Sequence, residues 1–191
     1  MKIVVVIIAV LSIFALAIGY DMYATPKLIP VQADEPSFNS LGIVPDFTFE
    51  TIEGKKLSIA DFRGKVVIMK FWATWCATCT IEMPDMLDLV KSYGGGIVLL
   101  AISSDSKIEE ITKFIDKHDE AAQKIFKSSD VYVALDANRA ITYDMFLTER
   151  YPETIIIAPN GEMVRKIVGE FDWSSEKIKS YLTQLIELPE K

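Results

Sequence analysis

The stretch Lys65–Ala73, KVVIMKFWA, is a short apolar run rich in valine, and it leads into the only two cysteines of the chain, Cys76 and Cys79. β-Branched residues in so short a run favour a buried strand over a helix. From Cys76 to about Tyr93 the apolar residues Met83, Met86, Leu87 and Val90 fall at helical spacing, and Gly94, Gly95 and Gly96 stop the pattern. A buried strand that delivers two thiols to the first turn of a helix constrains the fold more than any other feature. It demands a sheet with helices packed on it, and it places the cysteines at the end of a strand.

The flanking patterns extend that scheme. DFTFETIEGKKLSI alternates around Glu53-Gly54, a hairpin signal, and SIADFRGK reads as a short helical turn ending at Gly64. IVLLAISS (Ile97–Ser104) is a second buried strand. Ser106 with Glu109 forms a candidate capping box for a helix carrying Ile108, Ile111, Phe114 and Ile115. DEAAQKIFKSS reads as a short helix, VYVALD as a third strand and NRAITYDMF as a helix. ETIIIAPNGEMVRKIVG reads as two antiparallel strands joined at Pro159-Asn160-Gly161. Ser174 caps a last amphipathic helix with Ile178, Leu182, Leu185 and Ile186 inward. Strands alternating with helices make an α/β protein with a central sheet covered on both faces, and the closing hairpin makes that sheet mixed.

The N-terminus is a different region. IVVVIIAVLSIFALAI (residues 3–18) is uncharged, with Lys2 before it and Asp21 after it. Residues 1–22 are therefore a membrane anchor or a signal peptide, and either one exports the remainder. The proline-bearing, aperiodic segment 23–42 is a linker, and residues 43–191 form the domain. A net charge of −7 argues against nucleic acid as a partner, because phosphate recognition needs a basic face.

Export bears on the thiols, which tend to be oxidised outside the cytoplasm. A disulfide across two intervening residues closes too small a loop to be an effective staple, so the pair is better explained by chemistry. At a helix N-terminus the dipole and free N–H groups stabilise a thiolate on Cys76, which can attack a substrate disulfide. Cys79, one turn on, can attack the resulting mixed disulfide and release the substrate. Structural zinc wants four Cys or His ligands, and besides these cysteines the chain offers only His118, read as an exposed helix histidine some forty residues away. A two-thiolate copper(I) site, as in a metallochaperone, stays open.

FWATWCATC resembles the thioredoxin-fold active site, and the following TIEMP narrows the resemblance to the TlpA/ResA-like branch of exported, often membrane-tethered thiol–disulfide oxidoreductases. It covers about Pro45 to Leu188, including YPETIIIAPNGEMVRKIVG. The resemblance implies a thioredoxin-like fold with an N-terminal β-hairpin and a helical insertion near residues 119–130. It makes Cys76 the attacking and Cys79 the resolving cysteine of a redox-active disulfide. It makes Glu82 an active-site carboxylate able to accept or return a proton near Cys79, and Pro84 a helix-kinking proline. It assigns Trp75 and the Tyr151-Pro152 segment, with a cis peptide bond, to the substrate groove; Trp72 is read as core. No metal and no cofactor is implied. The partners implied are exported protein thiols and disulfides and a membrane electron donor, on the periplasmic side of the inner membrane or secreted after cleavage.

Within that branch the expected direction is reduction, as in cytochrome c maturation. Oxidase or isomerase activity is the near alternative, and a thiol peroxidase the further one. The peroxidase pocket wants threonine where this chain has Ala73. Two departures stand out. Ala77-Thr78 lies between the cysteines, where many relatives have proline before the second one. Lys70 occupies a strand position where thioredoxins commonly bury an aspartate, and it either snorkels outward or supplies a positive charge favouring thiolate.

Overall fold

Every residue of the Val66–Trp72 strand (β3) is buried, which is why its sequence is apolar at every position but Lys70 rather than alternating. The computed structural model describes residues 38–187. The anchor or signal peptide, most of the linker and the last four residues lie outside the described residues. β3 is the centre of a five-stranded sheet of order β5-β4-β3-β6-β7. It pairs in parallel with β4 (Ile97–Ser103) and antiparallel with β6 (Glu153–Ile157). β4 pairs in parallel with β5 (Val131–Leu135), and β6 antiparallel with β7 (Met163–Val168). The sheet is mixed for the reason expected. Its parallel half is connected by helices, and its antiparallel half by a tight turn in which Gly161 takes φ 83°.

β1 (Thr48–Glu50) and β2 (Lys56–Ser58) form the N-terminal hairpin, a separate two-stranded sheet. It is tied to the edge of the main sheet by the Ile52 N–H donating to the Val133 carbonyl at 2.8 Å. A 3-10 turn at Ile59–Phe62 follows it. The helices are α1 (Ala77–Ser92), α2 (Ile108–Asp116), α3 (Glu120–Phe126) and α4 (Glu176–Ile186). Ala140–Met145 is one π-helical turn rather than an α-helix. α1 runs through Pro84, which withholds an N–H from the helical ladder.

Strand alternation sorts β3 between two cores. Val67, Met69 and Phe71 join the hairpin side with Phe47, Phe49 and Phe62. Val66, Ile68 and Trp72 join the side covered by α1 and α4, with Met83, Met86, Leu182 and Trp173. Lys70 shares the second face by its period of two.

Four local expectations are corrected. α2 begins after Lys107. Its first turn is held by Glu110, whose carboxylate accepts from the N–H groups of Ser106 (3.0 Å) and Lys107 (3.3 Å), so Glu109 is not the capping acid. Ser175, not Ser174, is the N-cap of α4; the Ser174 N–H and hydroxyl are drawn instead to the Asp172 carboxylate. His118 is half-buried just past the end of α2, its ring between Phe114 and Phe126, not on an exposed helix face. Ile186, expected inward, is the last residue of α4 and is exposed.

Candidate active site

The chain leaves β3 at Trp72, turns over Ala73–Trp75 and enters α1 with Cys76 as its N-cap. Cys76 and Cys79 form a disulfide. The Cys79 N–H points at Cys76 Sγ (3.2 Å), and the Thr78 hydroxyl lies 3.5 Å from the same sulfur. An N-cap sulfur in this position receives the partial positive charge of the helix start, which favours the thiolate over the thiol when the bond opens. Cys76 is 8% exposed and Cys79 0%, so of the two residues only Cys76 reaches the surface.

The loop that presents Cys76 is strapped to the end of β4. The Asp105 carboxylate, fully buried, accepts from the Thr74 N–H (3.0 Å), the Thr74 hydroxyl (2.8 Å) and the Ser103 hydroxyl (2.6 Å). Ser104 donates its N–H to the Trp72 carbonyl (2.9 Å), and its hydroxyl accepts from Tyr151 Oη (2.7 Å). Asp105 and Ser104 were not singled out from the sequence. The available signal was a polar cluster, Ser103–Ser106, directly after a buried parallel strand, where loops at the carboxyl ends of strands gather into a site.

Tyr151-Pro152 is a cis peptide, and the Tyr151 ring meets the exposed Trp75 ring edge-to-face at 5.6 Å. The structure thus brings Trp75, Tyr151 and Pro152 together beside the cysteine loop. The Arg139 guanidinium lies over Tyr143 (5.0 Å) and Tyr151 (5.9 Å) and donates to the Thr148 carbonyl (3.0 Å). Arg139 and Leu147, both at positive φ, bracket the π-helical turn, and Leu147 is exposed. Trp75, Tyr151, Arg139 and Tyr143 thus form a connected rim that begins at the residue preceding Cys76.

Beneath the disulfide the environment changes. Glu82 lies one turn after Cys79 on the same face of α1, and both are buried. Its carboxylate accepts from Lys70 Nζ (2.6 Å), the Phe171 N–H (2.6 Å) and Trp173 Nε1 (3.3 Å); no hydrogen bond joins it to a sulfur among the described residues. Lys70 does not snorkel. It is 0% exposed, flanked across the sheet by Ala101 and Thr154, and its charge is engaged by Glu82. Burial pushes the Lys70 ammonium below its usual range, and the hydrogen bond and charge of Glu82 pull the other way. Trp72 is core, fully buried against Phe114. No cluster of three or more metal-ligating side chains occurs among the described residues. No described helix is long and apolar enough to cross a membrane.

Comparison with known proteins agrees with this geometry. The model of the AhpC/TSA family matches residues 42–166. Over 181 residues the chain is 28% identical to a thiol-disulfide oxidoreductase ResA of Bacillus cereus, covering 93% of this chain and 94% of that one. A thiol-disulfide oxidoreductase ResA of Bacillus thuringiensis subsp. konkukian is 30% identical over 144 residues, 74% of this chain and 75% of that one. Among solved structures, a protein from Chlorobium tepidum assigned as thiol:disulfide interchange protein DsbE superposes with a TM-score of 0.65 at 23% identity, over 78% of this chain and 99% of that one. That likeness supports the thioredoxin-like fold.

Proposed function

Because the chain belongs to the AhpC/TSA family and is a ResA-like thiol–disulfide oxidoreductase working through the Cys76–Cys79 pair, we propose that it reduces disulfides of exported proteins. The observation that supports the order of events is the unequal exposure of the two cysteines, 8% for Cys76 against 0% for Cys79. In the reduced enzyme, Cys76 thiolate attacks one sulfur of a substrate disulfide. A Cys76–substrate disulfide forms and the other substrate sulfur leaves as a thiolate. Cys79 then loses its proton and attacks Cys76 Sγ. The substrate leaves as a thiolate, and the Cys76–Cys79 bond re-forms. Two electrons have passed to the substrate, and a thiol donor must return them.

In this reading Glu82 takes the proton of Cys79, and Trp75, Tyr151 and Pro152 form the substrate groove, with the Tyr151 backbone available for strand-like pairing. The reductive direction, a membrane electron donor, a role such as cytochrome c maturation and a periplasmic, membrane-tethered location follow the resemblance to the TlpA/ResA-like branch. They are consistent with the apolar run at residues 3–18. The family match also raises peroxide reduction, but Ala73 lacks the hydroxyl that a peroxidatic pocket places three residues before its cysteine.

The deciding experiment is the reduction potential of the Cys76–Cys79 couple. A value near about −270 mV supports a reductant, and a value near about −120 mV reverses the direction.

A further inference from the structure

The buried Lys70 is not required by the sheet. Its face of β3 is otherwise Val66, Ile68 and Trp72, and a neutral apolar side chain would suit a position between Ala101 and Thr154. Its ammonium instead meets one carboxylate, Glu82 Oε2, at 2.6 Å. That carboxylate lies one helical turn beyond the resolving cysteine. The other buried carboxylates at this end of the sheet are engaged elsewhere. Asp105 holds Thr74 and Ser103. Asp136 accepts the Thr142 N–H. Glu153, on the opposite face of the sheet, accepts from Thr148 and pairs with Lys166 at 2.9 Å. The Phe171–Trp173 segment contributes only N–H donors to Glu82. Among the described contacts, Glu82 is the one ionisable partner of Lys70.

We infer that Lys70 is a positioning residue for the release step: its ammonium, hydrogen-bonded to Glu82 Oε2, holds that carboxylate in place to receive the Cys79 proton. The inference rests on the reading of Glu82 as that acceptor. The charge balance is simple. Before transfer the buried set holds a neutral thiol, a carboxylate and an ammonium, with net charge zero. After transfer it holds a thiolate, a neutral carboxylic acid and the ammonium, again zero. The proton moves from Cys79 Sγ to a Glu82 oxygen, and no electron moves until the thiolate attacks Cys76 Sγ. A site of constant charge avoids the penalty of creating net charge in a low-dielectric interior. Without the ammonium, the buried carboxylate loses its one charged hydrogen-bond donor among the described residues and keeps only the Phe171 and Trp173 N–H groups.

The test is a thiolate absorbance titration of Cys79 in the full-length protein carrying Cys76→Ser, alone and combined with Lys70→Met, Lys70→Arg, Glu82→Gln or Lys70→Met/Glu82→Gln, each checked for folding by circular dichroism. Lys70→Met is expected to move thiolate formation upward by at least about one pH unit, a tenfold loss of thiolate below the midpoint. Lys70→Arg, which keeps the charge, is expected to move it less than half as far. The double change should add little to Glu82→Gln alone, because the lysine acts through the glutamate. A shift with Glu82→Gln but none with folded Lys70→Met overturns the role of Lys70 and leaves the reading of Glu82 standing. No shift with either removes both. If Lys70→Met does not fold, Lys70→Arg against Lys70→Gln decides: equal titrations overturn the inference.

Discussion

The two sulfurs of one disulfide face two different regions of the molecule. Cys76 belongs to a rim built by chain turns: Thr74–Trp75, Tyr151-Pro152, and the π-helical turn with Arg139 and Leu147 at its ends. Cys79 belongs to a floor built by packed elements: α1, β3 and the Phe171–Trp173 segment, meeting at a buried ion pair. The rim has exposed apolar surface and is held by side-chain and backbone hydrogen bonds to Ser104 and Asp105 at the end of β4. In the floor Cys79, Lys70, Glu82 and Trp173 are all buried, and the polar atoms of Lys70, Phe171 and Trp173 converge on one carboxylate. Recognition needs a reachable surface that can adapt to a partner. Proton handling needs fixed dipoles out of water, where each charge acts strongly.

The largest expected effects separate the sulfurs themselves. Cys76→Ser should abolish disulfide exchange and trap no substrate, whereas Cys79→Ser should accumulate mixed disulfides on Cys76, seen on non-reducing gels; equal trapping by both would erase the division into rim and floor. Next is the floor. Lys70→Met should destabilise the fold by ~3–5 kcal/mol, because it strands a buried carboxylate. Lys70→Met/Glu82→Leu, which removes the pair, should recover most of that loss in denaturant titrations.

The same pair predicts a pH dependence. The folded-state affinity of Lys70 for its proton is below that of the ordinary lysine at 10.5. Between its lowered folded value and 10.5 the unfolded chain binds more protons at this site, so its contribution to stability rises with pH across that window. The difference between the wild-type and Lys70→Met stability curves, measured from neutral pH to 10.5, should show that slope.

Rim substitutions should be milder for stability. Asp105→Ala leaves the Thr74 N–H and hydroxyl without their acceptor and should cost ~1–3 kcal/mol, with a matching loss in the rate at which Cys76 reacts. Trp75→Ala, at a position 66% exposed, should change stability by no more than ~0.5 kcal/mol while raising KM for a protein disulfide. A large stability loss from Trp75→Ala would show that the rim is structural after all.

Much of this arrangement was legible in the sequence because it rests on local signals. The β-branched run of β3, the 3.6-residue spacing of Met83, Met86, Leu87 and Val90, and the turn at Asn160-Gly161 each depend on neighbours within a few residues. The Cys-x-x-Cys spacing is itself local, since one helical turn sets both the N-cap position of Cys76 and the burial of Cys79. The cap assignments at Ser106 and Ser174 missed by one residue. Adjacent hydroxyls and acids compete for the same N–H groups, and only the three-dimensional path decides among them.

What the tertiary structure alone decided is where long-range partners meet. Lys70 and Glu82 come from different elements. Trp173 and Phe171 reach Glu82 from 91 and 89 residues away, and Asp105 reaches Thr74 from 31 residues away. Local spacing could leave Lys70 outward or inward. Its burial was settled by the packing of α1 and α4 over β3, which closes the route to water and leaves the ammonium one charge to meet.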